Sequence, residues 1–356
     1  MNILVAIAAA IFTSSAASMW MSSVTAEPAL MYVPTGNAND LVIIDLKKDK
    51  IVGRIDELEN AHGLAAIPNS EYLIAGSMKP VESDENNVIA KPDSVSKDEH
   101  AAHHADGTDA EMKRASYLSI IDTKHGQVVR RIPVRGLTHH IAVSPDGGYA
   151  VAVHSGAGGI SVVDLEKMAV VRTVQTGEWP NYAVFSRAGD RLYISNAQPG
   201  TISEIETQGW TIQRQIHVGK KPEHTVVSPD GTVLFVVNVD EGAVVALDLK
   251  KGEVTSRFDV GDKPHGVDIS SDGRWLFSSS KGSEQLSRVD LVSGEILKID
   301  LQPAPYHLEY VDAVNKLYVS SRKSSLIWVL APNTLKTISQ IDIGKGVAHQ
   351  MVVLPQ

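Results

Sequence analysis

The stretch that decides the fold is EHTVVSPDGTVLFVVN, residues 223–238. It holds an apolar run, a Ser-Pro-Asp-Gly turn and a second apolar run rich in β-branched residues. Asp-Gly between two such runs is typical of an antiparallel β-hairpin. A third run, VVALDL (244–249), and a fourth, VTSRFDVG (254–261), follow after short turns. We therefore predict a unit of four antiparallel strands, called A to D in chain order.

The same unit recurs along the chain. Clear copies are HHIAVSPDGGYAVAVH from residue 139, NYAVFSRAGDRLYISN from 181 and HGVDISSDGRWLFSSS from 265, with weaker copies from 62, 306 and 349. The seven starts are separated by 77, 42, 42, 42, 41 and 43 residues. A fixed period of this length indicates a propeller or a solenoid. The long first spacing places an insertion in the first copy.

The two ends of the chain complement each other. MYVPTG, DLVIIDL and IVGRID near the N-terminus fit strands B, C and D, whereas HQMVVLP at the C-terminus fits strand A alone. Joining them completes a seventh unit and leaves no long free sheet edge. The sequence therefore predicts an all-β fold over residues 31–356. It is a seven-bladed β-propeller of four-stranded antiparallel blades, with the N- and C-terminal strands closing one blade.

SPDGTVLFVVN (228–238) and RAGDRLYISN (187–196) resemble the signature of YVTN-type β-propellers, a family also related to haem d1 propeller domains. The resemblance covers essentially the whole mature chain and implies the fold. It leaves the function open, because this architecture hosts binding proteins, enzymes and chaperones.

Composition narrows the function classes. The chain of 356 residues has a formal net charge of -9 and no cysteine. The charge argues against a nucleic-acid partner. Without cysteine, a borderline metal ion would be held by histidine, carboxylate or methionine. No Ser-His-acid or paired-carboxylate constellation stands out, so a hydrolase is not expected.

The N-terminus predicts export. Residues 3–12 are an apolar run too short to span a bilayer, and small residues including Val24-Thr25-Ala26 follow. We predict a cleaved signal peptide over residues 1–26, a periplasmic location, no membrane insertion and a monomeric propeller.

Histidine is concentrated where strand A begins, and this strand is innermost in a propeller and lines its channel. Two adjacent columns cover the seven units. The first is His62, His139, Asn181, Glu223, His265, Tyr306 and His349, and the second is Gly63, His140, Tyr182, His224, Gly266, His307 and Gln350. Seven of these fourteen positions are histidine, although the whole chain has only 13.

Neutral imidazole is the commonest protein ligand for zinc and copper. We therefore predict a metal site, zinc with copper as the alternative, formed from His62, His139, His140, His224, His265, His307 and His349. Three or four imidazoles hold one ion, so the others would orient ligands or hold a second ion. Glu223 could be a ligand or an orienting group. The alternative is that each histidine only satisfies backbone groups at the channel mouth.

The insertion, residues 79–114, is acidic and poor in large apolar groups, which predicts a flexible loop. His100, His103 and His104 lie among acidic residues and could form a weak metal trap. As a connection between strands B and C, the loop should emerge on the face where the histidine columns open. The alternative is a solvated acidic loop with incidental histidines.

This combination resembles the periplasmic zinc metallochaperones of the AztD type. The resemblance implies a protein without catalytic activity that binds zinc in its channel and passes it to the solute-binding protein of an ABC metal importer. Two alternatives stay open. One is a copper-dependent oxidoreductase, similar to the catalytic copper domains of nitrous oxide reductase and thiocyanate dehydrogenase; the other is a haem d1-binding propeller.

Overall fold

The computed structural model describes residues 29–81 and 115–354. In these ranges the chain forms seven four-stranded antiparallel sheets, so the predicted seven-bladed propeller is confirmed. Three single-turn 3-10 helices interrupt the loops at Ser155–Ala157, Val239–Glu241 and Asp312–Val314. No helix in the described ranges has the length and apolar character needed to cross a membrane.

The strands follow the predicted order. Blade one contains β4 (Ala61–Ala66), β5 (Tyr72–Ser77), β6 (Ala115–Asp122) and β7 (Gln127–Arg135). Blade two contains β8 (His140–Val143), β9 (Tyr149–His154), β10 (Gly159–Asp164) and β11 (Ala169–Gln175). Blade three contains β12 (Pro180–Phe185), β13 (Arg191–Asn196), β14 (Thr201–Glu206) and β15 (Thr211–His217). Blade four contains β16 (Pro222–Val227), β17 (Val233–Asn238), β18 (Ala243–Asp248) and β19 (Glu253–Asp259).

Blade five contains β20 (Pro264–Ile269), β21 (Trp275–Ser280), β22 (Gln285–Asp290) and β23 (Ile296–Asp300). Blade six contains β24 (Pro305–Val311), β25 (Lys316–Ser321), β26 (Leu326–Leu330) and β27 (Thr337–Asp342). Blade seven joins β1 (Leu30–Pro34), β2 (Leu41–Asp45) and β3 (Lys50–Ile55) to β28 (Val352–Val353).

The repeated Ser-Pro-Asp-Gly segment forms the turn between strands A and B. In blade four, the Ser228 hydroxyl donates to Asp230 Oδ1 at 2.6 Å, and the Thr232 backbone N–H donates to the same oxygen at 3.1 Å. Gly231 adopts a φ of 74°, a left-handed conformation that costs little for glycine. The turn chemistry therefore fixes the register of the hairpin that carries the innermost strand.

The ring closes at blade seven. Tyr32 of β1 pairs with Val352 of β28, so the last strand of the chain becomes the inner strand of the first sheet. On the outer side, the Asp49 carboxylate accepts hydrogen bonds from Lys316 Nζ at 2.8 Å and from the Tyr318 hydroxyl at 2.7 Å. Both contacts tie blade seven to blade six, and the closed ring holds its inner strands in fixed positions.

Apolar side chains fill the spaces between blades. Each of seven buried clusters lies between two adjacent sheets; Phe277 of blade five, for example, packs with Leu317 and Trp328 of blade six. Because each sheet is covered on both faces, strands B and C are almost wholly buried, as in Leu192–Ser195 of β13. The polar groups of the inner strands are consequently directed toward the channel.

The predicted insertion connects strands B and C of blade one, since β5 ends at Ser77 and β6 begins at Ala115. Residues 82–114, with His100, His103 and His104, lie outside the described residues, and so does the predicted leader 1–26.

Candidate metal centre in the channel

The histidine columns lie in a β-bulge. In blade four, Pro222 pairs with Asn238 and the next regular pair is Thr225 with Val236, so Glu223 and His224 fall inside an irregularity. The inner strands of blades one, three, five and six break register at the equivalent point. In a regular strand, adjacent side chains point to opposite faces. The bulge removes that alternation, and members of both columns reach the same channel space.

Two local features build the bulge. The residue before the first strand proline adopts a left-handed conformation in four blades: Trp179, Lys221, Lys263 and Ala304 have φ between 42° and 54°. Serines of strand B then accept the backbone N–H groups that the bulge frees. Ser279 Oγ accepts from Gly266 N at 3.0 Å, and Ser320 Oγ accepts from His307 N at 3.1 Å.

The second column holds glycine where a neighbouring strand passes too closely for a side chain. A Cβ at Gly266 would lie 2.6 Å from the Tyr306 carbonyl oxygen, and one at Gly63 would lie 2.8 Å from the Ile141 backbone nitrogen. Histidine therefore appears in this column only where the backbone leaves room for a ring.

His224, His265 and His307 converge on one point. These residues come from blades four, five and six, and each offers a ring nitrogen within 4.8 Å of the others. Their ring centroids are 4.2 Å apart for His224–His265, 5.0 Å for His224–His307 and 4.9 Å for His265–His307. We call this set the histidine triad. Among the described residues, it is the one set of potential ligands with donor atoms that close together.

Glu223 orients one ring of the triad. His265 Nδ1 lies 3.1 Å from Glu223 Oε2, and a carboxylate accepts the proton of that nitrogen. This contact places the lone pair of neutral His265 on Nε2, which is buried and has no hydrogen-bond partner in the described structure. A histidine held at one nitrogen by a carboxylate and free at the other is the usual arrangement of a metal ligand.

Three other predicted ligands, His62, His139 and His349, form a second group on the other side of the channel mouth. The His62 centroid lies 3.6 Å from that of His349 and 5.9 Å from that of His139. His139 Nδ1 lies 3.2 Å from the Asn181 carbonyl oxygen and donates to it. We call this group the histidine row. A 5.9 Å step from His349 to His307 joins it to the triad.

His140 differs from the other predicted ligands in its hydrogen bonding. Its Nδ1 accepts the backbone N–H of Ala183 at 3.2 Å, so the neutral ring carries its proton on Nε2. The ring stacks on Tyr182 at a centroid distance of 3.6 Å, and Tyr182 in turn contacts His224 at 4.5 Å. In this arrangement His140 presents an N–H group rather than a lone pair.

Burial keeps the imidazoles neutral. Loss of hydration lowers the pKa of His62 to about 2 and that of His349 to about 3, with repulsion from neighbouring imidazoles and Arg322 adding to the shift. The same cause holds the pKa values of His224, His265 and His307 well below the usual range. The ring lone pairs are thus free of protons at neutral pH, which metal coordination requires.

The remaining histidines in the described ranges have structural partners or lie at the surface. His154 ends strand B of blade two. Its Nδ1 faces the Leu137 carbonyl oxygen at 3.2 Å and its Nε2 the Ser161 hydroxyl at 2.8 Å, so both nitrogens are satisfied. His125 lies in a C–D turn and pairs with Asp122, and His217 is exposed on β15.

Sequence reasoning missed a pair of carboxyls deeper in the channel. Asp268 and Glu309 occupy equivalent positions in neighbouring blades, three residues after the first column. Asp268 accepts the backbone N–H of Tyr310 at 2.7 Å. Burial raises the pKa of Asp268 to about 6 and that of Glu309 well above its usual range, and mutual repulsion adds to the latter. The sequence does mark this pair, because the other five blades hold alanine or valine at the equivalent position.

A cavity of about 860 Å³ opens beside the channel mouth over blades two to four. His139, Asn181 and Glu223 form its inner wall, and Trp179 and Lys221 contribute to its rim. The space is large enough for a small organic ligand and reaches Glu223, which contacts the triad.

Comparison with known proteins supports the fold and changes one functional expectation. The protein-family model described as "Lactonase, 7-bladed beta-propeller" matches residues 147–266, from blade two to the start of blade five. A search of curated proteins finds no match to the sequence.

Solved structures with the same fold share little sequence with this chain. The periplasmic gluconolactonase PpgL of Pseudomonas aeruginosa superposes with a TM-score of 0.71 at 15% identity, over 92% of this chain and 99% of that one. Hydrazine synthase of Kuenenia stuttgartiensis gives 0.69 at 16% identity, over 86% and 93% of the two chains. A protein of unknown function from Desulfotomaculum acetoxidans gives 0.70 at 13% identity, over 92% and 99%.

The expectation of metal binding without catalysis is contradicted by the family match, because a lactonase is a hydrolytic enzyme. Serine and carboxylate constellations of the kind sought in the sequence are one route to hydrolysis. A water activated by a metal ion is another route, and three histidines from separate blades are sufficient to hold that ion.

Proposed function

We propose that the protein is a metal-dependent hydrolase whose divalent ion, zinc in the first place, is held by the histidine triad. The observation that carries the proposal is the convergence of three ring nitrogens within 4.8 Å, one of them buried without a partner. Burying an imidazole nitrogen without a partner costs free energy, and coordination of an ion would recover that cost.

Three imidazoles suit a catalytic ion better than a structural one. Structural zinc sites are closed by four protein ligands, whereas catalytic sites use three and keep a position open for water or substrate. An ion in such a site lowers the pKa of its water and polarises a carbonyl oxygen, as hydrolysis of a lactone requires. The cavity of about 860 Å³ beside Glu223 offers room for the organic part of the substrate.

The chain's own residues would then have distinct tasks. Glu223 fixes the orientation of His265 through Nδ1. The Nε2–H group of His140 is buried without a partner and suits a substrate oxygen as acceptor. Asp268 and Glu309, deeper in the same channel, can accept hydrogen bonds from substrate hydroxyl groups.

The first experiment measures the metal content of the full chain purified without a histidine tag. We expect about one zinc per chain, and loss of that zinc in His265→Gln and His307→Gln. Hydrolysis of gluconolactone, followed by acid release, should depend on the added ion and disappear in the same variants.

His125→Gln is the matched control, since this exposed ring lies in the C–D turn of blade one, outside both the triad and the cavity. Both metal content and hydrolysis should be unchanged in this variant. Wild-type protein that binds no divalent ion contradicts the proposal. Several copper ions per chain would favour the copper alternative, and a strong Soret band would favour haem d1.

Delivery of zinc to the solute-binding protein of an ABC importer is a second candidate, and it does not exclude catalysis. One observation favours it: the histidine row adds three imidazoles that a single ion does not need, and it reaches the triad in steps of 3.6 to 5.9 Å. Stopped-flow transfer of zinc to a chelator tests it. His62→Gln should slow the transfer without changing the equilibrium affinity.

The periplasm is the compartment that we infer, from the apolar leader over residues 1–26. Its processing, the monomeric state and the metal-trapping role of His100, His103 and His104 stay predictions. Mass spectrometry of the protein isolated from cells would give the mature N-terminus directly.

A further inference from the structure

Four basic side chains lie above the histidine triad, on the same three blades that supply it. Lys221 precedes β16, Lys263 precedes β20, Lys281 follows β21 and Arg322 follows β25. We call them the cation arc. Starts of strand A and ends of strand B meet on one face of the disc, so these positions are neighbours although they span a hundred residues of sequence.

The arc is in direct contact with the site. Lys281 Nζ lies 3.4 Å from His265 Nδ1 and 5.5 Å from the centroid of the Tyr306 ring. Arg322 Cζ lies 5.4 Å from the same ring, which stacks on His265 at 4.0 Å. The two cations therefore flank one aromatic ring at the edge of the triad.

The positive charge is poorly compensated in the described part of the chain. Glu223 is the one carboxylate whose attraction acts on Lys281, whereas Lys221, Lys263 and Arg322 repel it. Lys221 lies 4.0 Å from Glu223, and no carboxylate among the described residues lies within ion-pair distance of Lys263, Lys281 or Arg322. Burial and this repulsion lower the pKa of Lys281.

The arc is a local concentration of positive charge in a chain with a net charge of -9. Elsewhere on the described surface, several basic groups pair with carboxylates, for example Arg257 with Glu241 and Arg274 with Asp290. A cluster of uncompensated cations around a channel mouth attracts anions and repels free metal ions. The imidazoles are neutral and do not offset it.

We propose that the channel mouth binds a small oxyanion, a carboxylate or a phosphate group, held between Lys281 and Arg322 above the triad. The anion would neutralise the arc, and charge-assisted hydrogen bonds from an ammonium and a guanidinium would fix its position. In the proposed hydrolase this site would receive the charged end of the substrate or the carboxylate product. The anion site is nonetheless argued from the arc alone and does not require a metal ion.

Calorimetric titration of the metal-free full-length protein tests this inference, with inorganic phosphate, acetate and gluconate as separate probes. We expect saturable binding of at least one probe with a dissociation constant in the millimolar range. Lys281→Gln and Arg322→Gln should each weaken binding by about tenfold or more, since each removes a charged hydrogen-bond donor. Lys281→Arg keeps the charge and should retain binding.

Lys336→Gln is the control, because Lys336 is an exposed lysine in the C–D turn of blade six, on the opposite face of the disc. Preference for phosphate or for a carboxylate identifies the source of the anion, and either result supports the site. The inference is overturned if no probe binds saturably, or if Lys336→Gln weakens binding as much as Lys281→Gln. Thermal melts show whether each variant is folded. A negative result would leave the metal proposal intact, because no metal is present in the assay.

Discussion

The histidine triad and the histidine row contain the same side chain at the start of the same repeated strand, yet they differ in what they can bind. In the triad, three ring nitrogens meet within 4.8 Å. In the row, His62 and His349 face each other with ring centroids 3.6 Å apart and an interplanar angle of 33°. Rings packed face to face do not direct their lone pairs at one point. A histidine at the start of strand A is therefore not by itself a metal ligand.

The cause of the difference is local. The triad combines one first-column residue, His265, with two second-column residues, His224 and His307, whereas the row contains only first-column residues. A carboxylate fixes one ring of the triad, and Glu223 has no counterpart in the row, where His139 is held by a backbone carbonyl oxygen. Mixing of columns across a bulge produces convergence, and a single column does not.

The largest expected effect is on metal affinity when the triad is altered. Replacement of His224 by Gln should weaken zinc binding by about 150-fold, because four-ligand zinc sites gain roughly 10–16 kcal/mol, or about 3 kcal/mol per ligand. Competition with a chromogenic chelator gives the affinity. An affinity within a few-fold of wild type would show that the ion lies elsewhere.

The second-largest effect on zinc affinity is expected when Glu223, which orients His265, is altered. Glu223→Gln should weaken zinc binding by about tenfold, because the amide oxygen still accepts from His265 Nδ1 but lacks the carboxylate charge. The same chelator assay measures it, with Asp240→Asn on the neighbouring loop as the control. An unchanged affinity would mean that Glu223 does not orient the ligand.

The buried histidines of the row predict how the free energy of unfolding depends on pH. The folded-state pKa values of His62 and His349, about 2 and 3, lie below the unfolded value near 6.5. The unfolded chain therefore takes up protons first, and the unfolding free energy falls as pH drops below 6.5. Each histidine contributes about 1.4 kcal/mol per pH unit to this slope.

Urea unfolding of the metal-free protein between pH 7 and 5 checks this expectation. The double variant His62→Gln/His349→Gln should have a shallower slope than wild type. Asp268 and Glu309 act in the opposite direction, since their raised pKa values make the folded state bind protons first. A slope that the double variant does not change would contradict the neutral, buried state of the row.

The smallest effect is expected for the row in equilibrium metal binding. His62→Gln should change zinc affinity by less than about threefold, because the ring nitrogens that converge within 4.8 Å belong to His224, His265 and His307 and not to His62. The chelator assay provides the comparison with His224→Gln. A loss as large as that of a triad variant would place the ion between the two groups.

Much of the architecture could be predicted from single residues and their spacing. The Asp-Gly turns and the period of about 42 residues gave the strands of each blade, and the incomplete units at the two ends gave the closed ring. The candidate ligands could be found as a set, because histidine recurs at one point of the repeat. Asp268 and Glu309 carry a signal of the same kind, since they are the two acidic residues at a repeat position that holds alanine or valine in the other five blades.

The sequence by itself determined the number of blades, their strand order and the presence of imidazoles at one end of the channel. These follow from local turn chemistry and hydrophobic periodicity, which act between residues close in the chain. Only the tertiary structure decided which imidazoles meet and which ring nitrogen of each one carries the proton. Those properties depend on a bulge that redirects adjacent side chains, and on contacts such as Glu223 with His265 and Ala183 with His140. The partners lie about forty residues apart, and packing of adjacent blades brings them within hydrogen-bond distance.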